Sequence, residues 1–330
     1  MNHSAESIST MHNWPSLAQY GSSLPLKGGN LFYYDTGAGK AKPSGAEKPT
    51  LILIHGLGDE SDSWRHIIPL LTGAGFRVIA PDLPGFGRSN GTNPGDKMTH
   101  NSALVWKTKS CIKEHTLAIL ALMEKTGAAN AENPAVIIGS SMGATITQSI
   151  AGKRPDLVRA IILIDGCFPL SGKSNPGILL MALPFIGRSW YRNFRKNHEG
   201  AWKSLYPYYR DLDSLNEEDK TFLRNRVIAR VESDSQEKAY FSSLRSLISL
   251  VIFGEKKFNR AMKTYAGKIL LLWGDADTIV PIEQSSRFRS LYPCAEVQII
   301  PKAGHLPQQD APQKTAEAII NFAVSEQQPL

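Results

Sequence analysis

Short runs of aliphatic residues that end in Gly, Asp or Pro recur along this 330-residue chain and alternate with stretches of helical periodicity. Most of the runs are continuously apolar, as strands must be when helices cover both faces of a sheet. Strands that alternate with helices predict an α/β fold with a doubly wound, mostly parallel sheet. The predicted strands begin at Leu51, Arg77, Ala135, Ala160, Lys268 and Val297, and the predicted helices span residues 63–72, 114–126, 142–153, 283–291 and 312–323.

Two features extend this pattern. The segment L-P-L-K-G-G-N-L-F-Y-Y-D predicts a hairpin that turns at residues 27–30 and adds antiparallel strands to one edge of the sheet. A parallel crossover needs a dozen or so residues, yet about 100 separate the strand that ends at Asp165 from the one that starts at Lys268. We therefore expect a core domain of residues 21–165 and 268–330, a helical cap inserted over residues 166–267, and a loose arm over residues 1–20.

Composition and charge narrow the class of protein. A hydrophobic fraction of 42% and a charged fraction of 20% are those of a globular chain. The three cysteines, Cys111, Cys167 and Cys294, lack the number and spacing of a disulfide framework or a metal site. The N-terminus has no secretory pattern, and the apolar stretch Ile178–Gly187 is much shorter than the roughly 20 residues that span a bilayer. We expect a cytoplasmic protein without a transmembrane helix.

The formal net charge of +7 lies in the expected insert. Residues 166–265 contain 17 Lys or Arg against 10 Asp or Glu, whereas the charges of the remaining residues cancel. No aromatic and basic pattern of a nucleic-acid module accompanies this excess, so we interpret it as a solvated helical surface and expect no nucleic-acid partner. Tyr240, Leu244 and Leu247 fall at helical spacing within the insert, which predicts packing between helices.

The pattern G-x-S-x-G occurs twice. In one setting it forms a sharp turn from a strand into a helix, which exposes a serine hydroxyl as a nucleophile. The match at residues 139–143 follows a predicted strand and opens a predicted helix, so Ser141 is the candidate nucleophile. The match at residues 87–91 follows a proline-rich loop and precedes no helix, so we interpret Ser89 as a chance match.

A serine nucleophile also requires donors for the developing oxyanion. His55 to Gly58 end an earlier predicted strand, where a glycine-rich turn can direct a backbone N–H toward the serine. The amides of Leu57 and Met142 would then form the oxyanion hole. His55 itself precedes the serine in the chain, and we interpret it as a structural hydrogen-bonding residue.

Acid and base candidates follow later strands. Asp275 and Asp277 both follow L-L-L-W-G, and the form W-G-x-x-D-x-x-V-P puts the acid at Asp277, with Asp275 as a loop or capping residue. Asp165, which follows an earlier strand, remains the alternative acid. His305 is the only histidine beyond Asp277, and the chain order Ser, Asp, His makes it the candidate general base.

Together, the motifs H-G-L-G-D, A-P-D-L-P-G-F-G-R-S, G-S-S-M-G, W-G-D-A-D and A-G-H resemble the α/β-hydrolase superfamily, in its branch of serine esterases, lipases and C–C hydrolases. Haloalkane dehalogenases and epoxide hydrolases have an aspartate where this chain has Ser141, so we expect the chain to belong to neither class. Meta-cleavage-product hydrolases show G-N-S-M-G-G, and this chain departs from that pattern at Ser140 and Ala144.

The resemblance implies a hydrolase of carboxylic esters that forms an acyl-enzyme and uses no metal or organic cofactor. Two alternatives stay open, a C–C hydrolase of vinylogous diketones and a non-catalytic binding protein with the same fold. We expect an apolar acyl group of about four to eight carbons. An apolar run in the insert can line its pocket: some of these residues should face the site, and the others can pack the helices of the insert against one another. That run comprises Phe168, Pro169, Leu170, Ile178, Leu179, Leu180, Met181, Leu183, Phe185, Ile186, Trp190 and Tyr191.

Overall fold

The computed structural model describes residues 13–26, 29–37, 48–89, 111–166, 182–262 and 265–325. Its strands are β1 (Gly21–Leu26), β2 (Gly29–Asp35), β3 (Leu51–Ile54), β4 (Val78–Pro81), β5 (Ala135–Ser140), β6 (Val158–Ile164), β7 (Lys268–Gly274) and β8 (Glu296–Ile300). They form one sheet in the order β1-β2-β4-β3-β5-β6-β7-β8. The pairs β1–β2 and β2–β4 are antiparallel, and all other pairs are parallel. The predicted fold class and edge hairpin are confirmed, although residues 27 and 28 of its turn lie outside the described residues.

Helices cover both faces of the sheet. The α-helices are α1 (Ile67–Gly73), α2 (Ile112–Thr126), α3 (Met142–Lys153), α4 (Pro184–Asn193), α5 (His198–Lys203), α6 (Glu217–Glu232), α7 (Asp234–Ser249), α8 (Glu255–Met262), α9 (Ser285–Leu291), α10 (Pro307–Asp310) and α11 (Pro312–Val324). Strand residues alternate between two hydrophobic clusters. One cluster contains α2 and α3, and the other contains α1 and α11. This double burial explains why the strands are continuously apolar in sequence.

The expectation of a loose N-terminal arm is wrong for residues 13–20. Residues Pro15–Tyr20 form a 3₁₀ helix. Leu17 is fully buried and Trp14 is nearly so, and both belong to the same hydrophobic cluster as α1. The first 20 residues are mostly polar or small, and this composition gave no indication that Trp14 and Leu17 pack into the hydrophobic core. Residues 1–12 lie outside the described residues.

Between β6 and β7, the described residues form the helices α4 to α8. Helix α6 is attached to the core through side chains on one of its faces, at positions 219, 226 and 230. Arg226 pairs with Asp62 at 2.5 Å, Arg230 pairs with Asp59 at 2.7 Å, and Asp219 pairs with Arg65 at 2.7 Å.

Arg230 also pairs with Glu60. Burial alone would raise the pKa of Glu60, but Arg230 and Arg226 hold that pKa below its usual value. These buried charges therefore compensate one another across the junction between the core and α6.

Across the described ranges, no helix has the length and apolarity that crossing a lipid bilayer requires.

Candidate active site

Ser141 occupies a strained turn between β5 and α3. Its φ is 54° and its ψ is −117°, a region that residues other than glycine rarely adopt. The flanking glycines explain how the turn fits. A Cβ on Gly139 would overlap the Gly143 carbonyl, and a Cβ on Gly143 would overlap the Ile54 carbonyl. The two glycines of G-x-S-x-G are therefore required by close backbone contacts around the serine.

Asp277 and His305 form a buried hydrogen-bonded pair. Nδ1 of His305 lies 2.8 Å from Oδ2 of Asp277. The other oxygen of Asp277, Oδ1, accepts from the amides of Ile279 at 2.8 Å and Val280 at 2.9 Å. A proton held on Nδ1 by Asp277 leaves Nε2 as an acceptor. Within the described part of the chain, Nε2 is buried and has no hydrogen-bond partner.

A cavity of about 210 Å³ is lined by both Ser141 and His305. Aromatic side chains from the segment between β6 and β7 form much of its wall. They are Trp190, Tyr191, Phe194, Tyr208, Tyr209 and Tyr240. The ring of Tyr208 lies 5.8 Å from that of His305, measured between centroids. The wall is thus rich in aromatic side chains, and one of them, Tyr208, lies directly beside the histidine.

The two residues predicted to supply oxyanion donors lie close to Ser141. Met142 is the first residue of α3, so its amide has no acceptor within the helix. Leu57 lines the cavity, and it follows Gly56, where a Cβ would lie 3.3 Å from the Cβ of Ser141. The glycine at position 56 therefore keeps the turn that carries the Leu57 amide close to the serine.

His55, Ser89 and Asp275 have structural roles, as their sequence contexts predict. His55 is fully buried, and its Nε2 accepts from the Leu83 amide at 2.8 Å. Burial lowers its pKa, which keeps the ring neutral. Ser89 is fully buried, and its Oγ accepts from the Phe32 amide at 2.8 Å. Asp275 accepts from the Ala303 amide at 3.2 Å.

Asp165 lies beside the Asp277–His305 pair. Polar atoms of these three buried residues all lie within 4.8 Å of one another. Burial and the neighbouring Asp277 charge raise the pKa of Asp165 well above its usual value. The sequence named Asp165 only as a replacement for Asp277, and it gave no sign that the two carboxyl groups lie together.

The predicted apolar run contributes only in part to the cavity. Tyr191, which is buried, and Trp190, which is 46% exposed, line it, whereas Leu183, Phe185 and Ile186 do not. Phe185 is 88% exposed, so it is neither a pocket residue nor a packing contact. The first turn of α4 directs these side chains away from the cavity, which apolar density alone could not reveal. Phe168, Pro169, Leu170, Ile178, Leu179, Leu180 and Met181 lie outside the described residues.

Sequence reasoning also missed part of the wall. The helical spacing of Tyr240 predicts packing between helices, and its side chain does pack there, but it also lines the cavity. Tyr208 and Arg230 line it as well, and no motif marked either residue.

A mostly parallel sheet with a strand, serine and helix turn at its centre defines the α/β-hydrolase fold. The sequence profile of the α/β-hydrolase fold family matches residues 49–312. The chain belongs to this family of hydrolases, as its motifs predicted.

Relatives with known names extend over most of the chain. A pimeloyl-(acyl-carrier protein) methyl ester esterase of Edwardsiella ictaluri is 27% identical over 300 residues, which are 89% of this chain and 97% of that protein. A 2-hydroxy-6-oxononadienedioate/2-hydroxy-6-oxononatrienedioate hydrolase of Paraburkholderia phymatum is 23% identical over 308 residues, which are 90% of this chain and 93% of that protein. The structure of a thermophilic esterase from Thermogutta terrifontis shows the same fold, with a TM-score of 0.61 and 20% sequence identity. The superposition includes 89% of this chain and 92% of that esterase.

Proposed function

We propose that the chain is a serine hydrolase of carboxylic esters that works through Ser141, His305 and Asp277. One observation carries this proposal. Asp277 holds the Nδ1 side of His305 at 2.8 Å, and the unpartnered Nε2 belongs to a ring that lines the same cavity as the strained Ser141. This arrangement supports a histidine that is ready to accept the proton of a serine hydroxyl.

The proposed reaction has two stages. Nε2 of His305 takes the Oγ proton of Ser141 as Oγ attacks the acyl carbon, and the amides of Leu57 and Met142 stabilise the oxyanion. The protonated His305 then gives its proton to the leaving alcohol, which produces an acyl-enzyme. A water molecule, deprotonated by His305, then attacks the acyl carbon. The acyl–Oγ bond breaks, His305 returns the proton to Oγ of Ser141, and the acid is released.

Labelling with a fluorophosphonate tests the nucleophile. We expect stoichiometric modification of Ser141, located by peptide mass spectrometry, because only an activated serine reacts with this probe. A folded protein that stays unmodified would be a binding protein and not a serine hydrolase.

C–C hydrolysis is the second candidate, and the Paraburkholderia phymatum relative favours it. The same serine, histidine and aspartate would serve a vinylogous diketone. Competition between a p-nitrophenyl ester and a dienone substrate separates the two, since an esterase should show the larger kcat/KM on the ester.

The aromatic wall supports a preference for apolar acyl groups. Each methylene buried from water contributes about 0.8 kcal/mol, so we expect kcat/KM to rise about fourfold per added carbon until the cavity is filled. The measurement is a series of p-nitrophenyl esters from acetate to octanoate. A flat or falling series would contradict the apolar acyl site.

Two positions on α4 provide a matched pair for this series. Trp190→Ala should reduce the gain per carbon, because Trp190 lines the cavity. Phe185→Ala removes an aromatic ring from the same helix, but that ring is 88% exposed, so the series should not change. Equal effects of both variants would mean that the helix, and not the cavity wall, sets the preference.

A further inference from the structure

The carboxyl groups of Asp165 and Asp277 share one buried site at the ends of β6 and β7. Asp165 is fully buried, Asp277 is 7% exposed and His305 is 1% exposed. Their polar atoms lie within 4.8 Å of one another. Burial and the proximity of a second carboxyl group both disfavour a charge on each member of the pair, so this site favours the retention of one proton.

The surrounding donors decide which carboxyl group is charged. Asp277 accepts from two backbone amides, those of Ile279 and Val280, and its other oxygen lies 2.8 Å from Nδ1 of His305. Asp165 accepts from one amide, that of Gly274, at 3.0 Å. Hydrogen bonds to a carboxylate favour its charged form. The site therefore supplies Asp277 with more donors than Asp165 has.

The oxygen of Asp165 that can carry the proton is Oδ2. Among the described residues, no N–H or O–H donor reaches Oδ2 of Asp165, although this atom is buried. In the described part of the chain, the titratable groups that face Asp165 are Asp277, His305 and Asp310. Burial raises the pKa of Asp165 most, and the charges of Asp277 and then Asp310 raise it further.

We infer that Asp165 is a positioning residue whose carboxyl O–H donates to the Asp277 carboxylate and holds it against His305. Its catalytic consequence rests on the proposed function, whereas its protonation does not. The proton stays on Asp165 through the reaction, so proton transfer between Ser141 and His305 balances as before. The O–H of Asp165 supplies the Asp277 carboxylate with a further donor, besides the two backbone amides and the imidazole.

The pH dependence of stability tests the protonation without any assay of activity. An unfolded aspartate has a pKa of about 3.9. Above this pH Asp165 is protonated in the folded wild type and ionised in the unfolded chain, so its contribution to stability falls as pH rises, up to the folded pKa of Asp165. Asp165→Asn carries no titrating group. The ratio of unfolding constants, wild type to variant, should rise above about pH 4, by up to tenfold per pH unit.

Asp156→Asn is the matched control. Asp156 is an exposed aspartate, and the hydrogen bond from Arg154 lowers its pKa, so the ratio of unfolding constants for this variant should not rise with pH. A ratio for Asp165→Asn that is flat or falls with pH would overturn the inference.

Measurements of kcat/KM distinguish a positioning role of Asp165 from a merely structural one. Asn at position 165 can still donate an N–H to Asp277, so kcat/KM should stay within about threefold of wild type. Asp165→Leu removes the donor and should lower kcat/KM about tenfold or more, with the fold checked by circular dichroism. The alkaline step that Asp165 ionisation causes in the wild-type pH profile should vanish in Asp165→Asn.

Failure of this inference and failure of the proposed function give different results. A loss of activity in Asp165→Asn as large as that in Asp277→Asn would make Asp165 the ionised acid and overturn the inference. A wild type without esterase activity would contradict the proposed function, and the stability series would still decide where the proton resides.

Discussion

Ser141→Ala is expected to lower ester turnover by roughly 10⁴-fold or more, because the members of a triad act as one unit and the loss of the nucleophile removes their joint effect. The variant should fold normally. It removes one oxygen that faces a cavity, and alanine has the same Cβ as serine in the strained turn at φ 54°. The measurement is kcat on a p-nitrophenyl ester, together with urea unfolding of both proteins.

Ser89→Ala is the control for this experiment, since Ser89 stands in the other G-x-S-x-G match. Turnover should not change. The free energy of unfolding should fall by about 1–3 kcal/mol, because the Phe32 amide loses the acceptor that the Ser89 hydroxyl supplies. Loss of turnover in a folded Ser89→Ala variant would mean that the nucleophile was assigned to the wrong serine.

Asp277→Asn is expected to cost on the order of 10⁴-fold in turnover. The structure gives a local reason. Oδ1 of Asp277 accepts from the amides of Ile279 and Val280, so an asparagine keeps its carbonyl oxygen on them and turns its NH₂ group toward His305. That NH₂ favours the tautomer with the proton on Nε2, which cannot accept the proton of Ser141.

Asp275→Asn should have a mild effect on kcat in comparison. Asp275 accepts one amide hydrogen bond, from Ala303, and an asparagine carbonyl can accept it equally well. Kinetics of the two folded variants, measured side by side, provide the comparison. The reverse ranking would move the acid to Asp275, and mild effects of both substitutions would point to Asp165 as the ionised acid.

The features that the sequence predicted best are those with local requirements. The turn at Ser141 needs small residues at positions 139 and 143 because neighbouring carbonyl groups leave no room for a Cβ. This constraint appears directly in the sequence, as the five-residue motif at positions 139–143. The sheet was predictable for a related reason, since burial on both faces excludes polar residues from its strands.

The features that the sequence missed depend on side-chain direction and on distant neighbours. Asp165 and Asp277 are far apart in the chain, and only the parallel pairing of β6 with β7 brings them together. Leu183, Phe185 and Ile186 have the composition of a pocket wall, but the orientation of α4 leaves them exposed. Leu17 lies within a polar segment of the sequence, and only the folded structure shows that it packs into a hydrophobic cluster.

The charges that attach α6 to the core limit how the segment between β6 and β7 could be exchanged with that of a relative. Asp62 and Glu60 are each about 1% exposed, and they depend on arginines of α6 for part of their compensation. A transplanted segment without arginines at positions 226 and 230 would leave these buried carboxylates undercompensated, which is strongly destabilising. Recombination, in evolution or in the laboratory, must therefore transfer residues 59–65 together with α6.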